Sequence, residues 1–467
     1  MTGCTANQFV PQSETALQDS ALQQALSHAQ TGFVKKRAQA IAMVDDFELL
    51  KFKAQAAKRN ALSNLGELLE QFEHKVIESG GQVHWAGTTD ELNACVVTLC
   101  SEANAQRVIK GKSMIGEEAG LNSAMEAAGF ELIESDLGEY IIQLAKEPPS
   151  HIIAPAIHKT RKQVAALFKQ YHALGDRGLE AISDLVNEAR SVLREAFLTA
   201  DVGITGANLL VAENGSIAIV TNEGNGDLSA TLPRVHIVVT SIEKVVATME
   251  DASDILEVLA RSATGQHMSA YTTFFNGPKR ERDVDGPTEF HVVLLDNGRS
   301  ALLDGPFEPM LNCIKCGACL NHCPVYSNVG GHAYGWVYPG PMGSVLTPLL
   351  QGLDAAEPLP NASTFCGRCE EVCPMGIPLP AMLRQLREQQ HQRKLEPFTW
   401  RMGLSLYSWL STKPRMFPYC QWLLRVALKM LPKRLWPAGR KPIQAQGNST
   451  FMKQWSQQSD KRSQSGE

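Results

Sequence analysis

The chain has 467 residues, too many for one ordinary domain, so two or three are expected. With 44% hydrophobic and 20% charged residues it has the composition of a globular protein with a real core. A net charge of -5 gives no reason to expect nucleic-acid binding, and no apolar run reaches the roughly 18–20 residues that span a bilayer.

Residues 1–20 are polar and predicted to fray. They lack a basic stretch and an apolar h-region, so they do not read as a secretory signal, and a cytoplasmic setting with reduced thiols is expected. Residues 21–79 are rich in Ala, Leu, Lys and Glu, lack proline and repeat apolar residues at helical steps (Leu62, Leu65, Leu68, Leu69, Phe72). Strands are predicted at 82–85, 130–134, 201–210, 217–221, 235–240 and 291–295. Helices are predicted at 89–110 and 117–128, with one or two more in 161–200. This alternation argues for an α/β domain. The charged, Gly/Pro-rich stretch 276–288 reads as an exposed loop. Composition shifts near residues 300 and 380 then divide the chain into a helical segment (1–69), the α/β domain (70–300), a cysteine-rich module (301–380) and a helical C-terminal region (381–467).

Seven of the eleven cysteines fall between Cys313 and Cys373, which in a reducing compartment points to metal rather than disulfides. Cys313, Cys316, Cys319, Cys323 and Pro324 reproduce the C-x2-C-x2-C-x3-C-P run of bacterial ferredoxins. Three thiolates wrap one face of a compact Fe4S4 cube and the fourth points to a neighbouring cluster; Gly317 lets the backbone approach the sulfides. Zinc sites usually present two separated C-x2-C pairs instead. Cys366, Cys369, Cys373 and Pro374 repeat the last three positions, with Ser363 where the first cysteine would stand. Crossed ligation assigns Cys313, Cys316, Cys319 and Cys373 to one cluster and only Cys323, Cys366 and Cys369 to the other. The second cluster is therefore a [4Fe–4S] cube with a non-cysteine corner, or a [3Fe–4S] cluster. A turn or N-cap role is expected for Ser363. The long Gly- and aromatic-rich insertion between the half-motifs reads as a packed cover over the clusters or a docking surface for a redox partner.

Polar residues beside glycines at strand ends mark a candidate ligand pocket: Lys112, Glu117, Asp136, His151, His158, Asn208, Glu213, Asn222, Glu223 and Asn225. His151 and His158 are candidate acid/base groups. No G-x-G-x-x-G follows a strand and no Walker A loop is present, so no NAD or flavin motif supports a dinucleotide cofactor.

The segments 110–122, 134–159 and 199–233, followed by the cysteine module, occur in the order found in the lactate utilisation protein B family, which the chain resembles over roughly residues 60–440. The resemblance implies a LUD domain of the NagB/CoA-transferase-like α/β class, a ferredoxin-like module with two [4Fe–4S] clusters on the seven cysteines, and a helical C-terminal region. It also implies an electron-transferring subunit of a three-subunit L-lactate oxidation system, with the other subunits as partners. Two other activities are weighed against it. One is a self-sufficient 2-hydroxyacid oxidoreductase with substrate at the incompletely ligated cluster. The other is transferase chemistry at Glu213, whose Glu-Asn-Gly setting resembles the catalytic glutamate of CoA transferases. From Arg384 to Lys441, thirteen Lys/Arg stand against two acids with aromatics interleaved, so residues 400–440 are expected to touch a partner or the inner membrane surface.

Overall fold

The structure, a computed structural model, describes residues 3–413 apart from residue 176, together with isolated positions between Met416 and Trp455. These fall into two compact units, Met1–Arg393 and Lys394–Glu467.

The first unit is built on a six-stranded, all-parallel sheet. In chain order its strands are β1 (Gln82–Ala86), β2 (Arg107–Lys110), β3 (Glu131–Glu134), β4 (Val202–Thr205), β7 (Val235–Ser241) and β10 (Glu289–Leu295). They lie in the order β1-β10-β7-β4-β2-β3. A second, four-stranded sheet joins β5 (Leu209–Val211), β6 (Ser216–Thr221), β8 (Val245–Val246) and β9 (Tyr271–Phe275). Because successive side chains of a strand point to opposite faces, β10 sends Val293 and Leu295 into one core and Phe290, Val292 and Leu294 into another. The second of these cores is closed by the second sheet and by the helix Leu65–Glu78, through Leu68, Leu69, Phe72 and Val76. A parallel sheet covered on both faces reads as continuous apolar strands, and all seven residues of β7 are buried.

The sequence places most of these elements, and its misses have local causes. The helix predicted to Lys110 ends at Glu102, because Asn104 takes a left-handed φ of 50° and turns the chain into β2. Gly120 (φ 65°) splits the predicted 117–128 helix in two. The predicted 201–210 strand is two strands in different sheets, separated by Gly206–Asn208. The helices Leu137–Ala145 and Met249–Ala263 were not foreseen. Residues 5–18 do not fray: Thr5 N–H donates to Gly335 O at 2.8 Å, and Phe9 meets Tyr334 edge-on at 5.1 Å.

The N-terminal helices clamp the cysteine module. Arg37 on the helix Ser20–Ala42 donates to Val372 O (2.9 Å), and Gln55 on the helix Phe47–Ser63 donates to Pro374 O (2.9 Å). The insertion between the half-motifs is largely packed, with Tyr334 and Tyr338 fully buried. Gly331 sits against Ser150: an added Cβ would lie 1.7 Å from Ser150 O, so only glycine fits there.

In the second unit, the helix Phe398–Ser411 buries no residue and exposes Phe398, Trp400, Tyr407 and Trp409. Of the predicted basic-aromatic stretch 400–440, residues 414, 415, 418, 421, 424, 425 and 427–440 lie outside the described residues. Among the described residues no helix is long and apolar enough to cross a membrane.

Candidate metal centre and adjoining pocket

The two cysteine half-motifs follow the same backbone path fifty residues apart. Lys315 and Gly317 have φ of 55° and 73°; Phe365 and Gly367 have 54° and 78°. Each glycine opens a one-turn helix, Ala318–Asn321 or Arg368–Glu371. At Gly317 the positive φ favours glycine, and an Ile153 methyl lies 2.9 Å from where a Cβ would stand.

Cys313, Cys316, Cys319 and Cys373 line one small apolar hollow with Ile152, Met342 and Pro374. The Cys369 thiol is pushed up to about 12, by burial first and then by Cys323, with Cys366 acting the same way, so these three stand near one another; Cys369 in turn raises Cys319, so this group adjoins the first. Burial likewise pushes Cys313 up to about 11 and Cys316 to about 12. Thiols in such surroundings become thiolates by bonding to metal. Backbone donors are already aimed at the sulfurs, from Tyr326 N to Cys323 Sγ at 3.5 Å and from Met375, Gly376 and Ile377 towards Cys373. Soft ligands, an apolar wall and N–H donors to sulfur fit iron–sulfur clusters. Cys366 is exposed, whereas Cys323 and Cys369 are buried. Ser363 Oγ accepts from Phe365 N at 3.1 Å, which is a turn role.

A cavity of about 250 Å3 lies beside the Cys313 group. It opens at the C-terminal ends of β2 and β4, where open parallel sheets place their ligands; β3 and β4, which follow β2 in turn, lie on opposite sides of it. The loop after β2 supplies Lys112 and Ser113, the end of β4 and its loop supply Thr205 and Asn208, and the turn after β7 supplies Glu243 and Lys244. Lys58 comes from the helix Phe47–Ser63, and Cys313 and Lys315 come from the module. The lining contains no cysteine of the Cys323 group.

Burial lowers Lys58 to about 8 and, together with Lys315, lowers Lys244 to about 7. Lys58 donates to Glu243 O, Lys244 to Ala207 O, Lys112 to Ile153 O (2.8 Å) and Lys315 to the Tyr338 hydroxyl (3.0 Å). Behind them runs a buried charged network. Arg299 contacts Glu118 at 2.7 Å and Glu243 at 3.0 Å, and the Tyr338 hydroxyl donates to Glu118 at 2.6 Å. Burial pushes Glu243 up, but Arg299 and Lys315 outweigh it and hold the carboxyl down at about 2.

Of the ten pocket residues predicted from sequence, Lys112, Asp136, Asn208, Asn222, Glu223 and Asn225 line this cavity. The other four lie elsewhere. Glu117 pairs with buried Lys110 (3.1 Å). His151 is buried, not a surface histidine: it stacks on Phe33, pairs with Asn321 at 3.1 Å and is lowered to about 4 by burial. His158 pairs with Glu147 at 2.8 Å, and with His332 the three put one ligand atom each within 4.8 Å of one another. Glu213 is exposed and accepts from Met249 N at 3.0 Å, away from the cavity, which gives the transferase alternative no support. Sequence reasoning missed Lys58, Lys244 and Lys315. Each reads as an ordinary solvated lysine, and only the tertiary fold brings them together. Lys315 alone carried a signal, its place inside the cysteine motif.

Residues 69–295 match the LUD domain family, and residues 309–377 match the 4Fe-4S dicluster domain. The chain is 44% identical to a lactate utilization protein B of Lysinibacillus sphaericus over 383 residues, covering 82% of this chain and 80% of that one. It is 44% identical to the protein of the same name from a Geobacillus species, covering 80% and 79%. The match to that of Oceanobacillus iheyensis is 39% identical and covers 95% of both chains. With a LUD domain joined to a dicluster module in a single chain, at this identity and coverage, the protein belongs to the lactate utilization protein B family.

Proposed function

We propose that this chain is the electron-transferring subunit in the oxidation of L-lactate to pyruvate, working through two [4Fe–4S] clusters with partner subunits. The observation that carries this reading is the sorting of the seven cysteines into two adjacent groups, one of which abuts a polar cavity. The names of its relatives supply the lactate context. When bound, two clusters supply two one-electron steps, matching the electron pair that leaves with two protons as a 2-hydroxy acid becomes a 2-oxo acid.

In this reading Cys313, Cys316, Cys319 and Cys373 hold the inner cluster. Cys323, Cys366 and Cys369 hold the outer one, with a non-cysteine corner near Ser363. The chain's own residues exclude water from the inner site and donate N–H groups to its sulfurs. The exposed edge at Cys366 faces outward, where a redox partner can approach.

The test is iron and sulfide analysis with EPR on anaerobically purified protein, before and after dithionite. About eight irons per chain with two interacting reduced clusters is the expected result. Zinc in place of iron, or clusters that stay oxidised when L-lactate and the partner subunits are supplied, overturns the proposal.

A further inference from the structure

We infer that the cavity beside Cys313 is a binding site for a small carboxylate, a 2-hydroxy or 2-oxo acid, held by Lys112, Lys244, Lys58 and Lys315 with Asn225 receiving its hydroxyl. The choice of acid rests on the functional reading above; the anionic character of the ligand does not.

Four lysine side chains line one space of about 250 Å3. Each ammonium has three protons to donate, and each makes one hydrogen bond among the described residues, to a backbone carbonyl or a hydroxyl, with Glu139 a further 3.9 Å from Lys112 and Glu243 3.9 Å from Lys315. The carboxylates nearby make only long contacts with them. Glu243 is engaged more closely by Arg299, at 3.0 Å, than by Lys315, and Glu139 approaches Lys112 no nearer than 3.9 Å; Asp136 and Glu223 line the same cavity. Gathering that many ammonium groups away from water is costly unless an anion joins them.

A second observation is independent of the lysines. Asn225 is only 7% exposed, and its Oδ1 has no hydrogen-bond partner among the described residues, while its Nδ2 lies 3.4 Å from Ser135 Oγ. A buried acceptor left open at the wall of a cavity calls for a donor on the ligand. A 2-hydroxy acid provides one beside its carboxylate. The volume fits a small acid, since drug-sized ligands occupy about 300–1,000 Å3. The ligand would sit against the turn that carries Cys313, on the side of the fully cysteine-ligated group.

The experiment is calorimetric titration of cluster-loaded, full-length protein with L-lactate, pyruvate and inorganic phosphate. It is run on the parent chain and on Lys112→Met, Lys244→Met and Asn225→Ala, with iron content checked for each. L-Lactate and pyruvate are expected to saturate one site, and either lysine variant to weaken both by about tenfold or more. Asn225→Ala is expected to weaken L-lactate more than pyruvate, which has no hydroxyl to donate. Bound acid is expected to alter the EPR spectrum of the dithionite-reduced protein.

Equal affinity in both lysine variants, or saturable binding of phosphate with none of either acid, overturns the site. If Lys244→Met loses its iron, the partly exposed Lys112 variant decides, with Lys244→Arg as the charge-retaining rescue. Electron delivery from L-lactate to the clusters, with acid binding indifferent to the lysines, sinks this inference and leaves the electron-transfer reading standing. Lysine-dependent acid binding to a chain whose clusters accept no electrons does the reverse.

Discussion

Ser363 occupies in the second half-motif the place that Cys313 holds in the first. Its Oγ accepts from Phe365 N at 3.1 Å, as the Cys313 sulfur accepts from the backbone N–H of Lys315, and both acceptors lead into a residue of positive φ. A ligand atom at Ser363 would therefore start from the geometry used by a known thiol position. Ser363→Cys is expected to give a conventional, tightly held second cluster. Ser363→Ala is expected to keep about seven irons or more per chain, because the three cysteines remain. Iron analysis and EPR on the two variants check this, and loss of the whole second cluster in Ser363→Ala would make the serine an obligatory ligand.

The proposed crossed ligation gives Cys373 a role that its sequence position hides. It stands in the second half-motif yet lines the hollow of the first. Cys373→Ala is expected to remove or degrade the cluster beside the pocket and spare that of Cys323, Cys366 and Cys369. The residual EPR signal should then match that of Cys316→Ala and differ from that of Cys369→Ala.

Arg299 faces two buried carboxylates, Glu118 and Glu243. Arg299→Met leaves both without their main counter-charge and is expected to cost about 3–5 kcal/mol of stability. In the parent chain both carboxyls are held below their ordinary value, so the stability they contribute is present at neutral pH and fades as pH falls into and below the carboxylate range. The penalty of the variant should therefore be full near neutrality and shrink in acid. Denaturation of both proteins over a pH series measures it.

Lys244 is lowered to about 7, by burial first and then by Lys315, with Arg299 acting the same way and Glu243 and Glu118 opposing. An anion favours its charged form. Acid binding is expected to be tighter at about pH 6 than at about pH 9 and to take up protons above neutrality, read from calorimetry in buffers of differing ionisation heat. An affinity independent of pH in this range would remove Lys244 from the site.

The metal centre was legible because its information is local: spacing, a terminal proline and a repeat offset of fifty residues are all written along the chain. The strands were legible for a similar reason, since β7 and β10 are apolar runs of the right length. The pocket was legible only in part. Asn208, Asn222 and Asn225 stood out because polar residues beside glycine at strand ends are locally unusual. Lys58 did not, because a lysine within a helix such as AQAAKRNALS reads as its wet face. Its burial depends on the turn after β7 and the Cys313 loop arriving from almost 200 and more than 250 residues away. His151 and Glu213 were drawn into the prediction by residue type and motif, and contacts no sequence pattern records set them elsewhere: Asn321 and Phe33 for the first, Met249 for the second.

Cys366 is the one thiol of the seven that is exposed. In the proposed reading, the edge through which an electron would leave is also the edge that meets dissolved oxygen. With the proposed clusters in place, damage in air should begin there and move inward, taking the outer cluster first and sparing for a time the one walled by Ile152, Met342 and Pro374. How long the chain keeps working after a burst of oxidant is then set by a single thiol and the few residues standing in front of it.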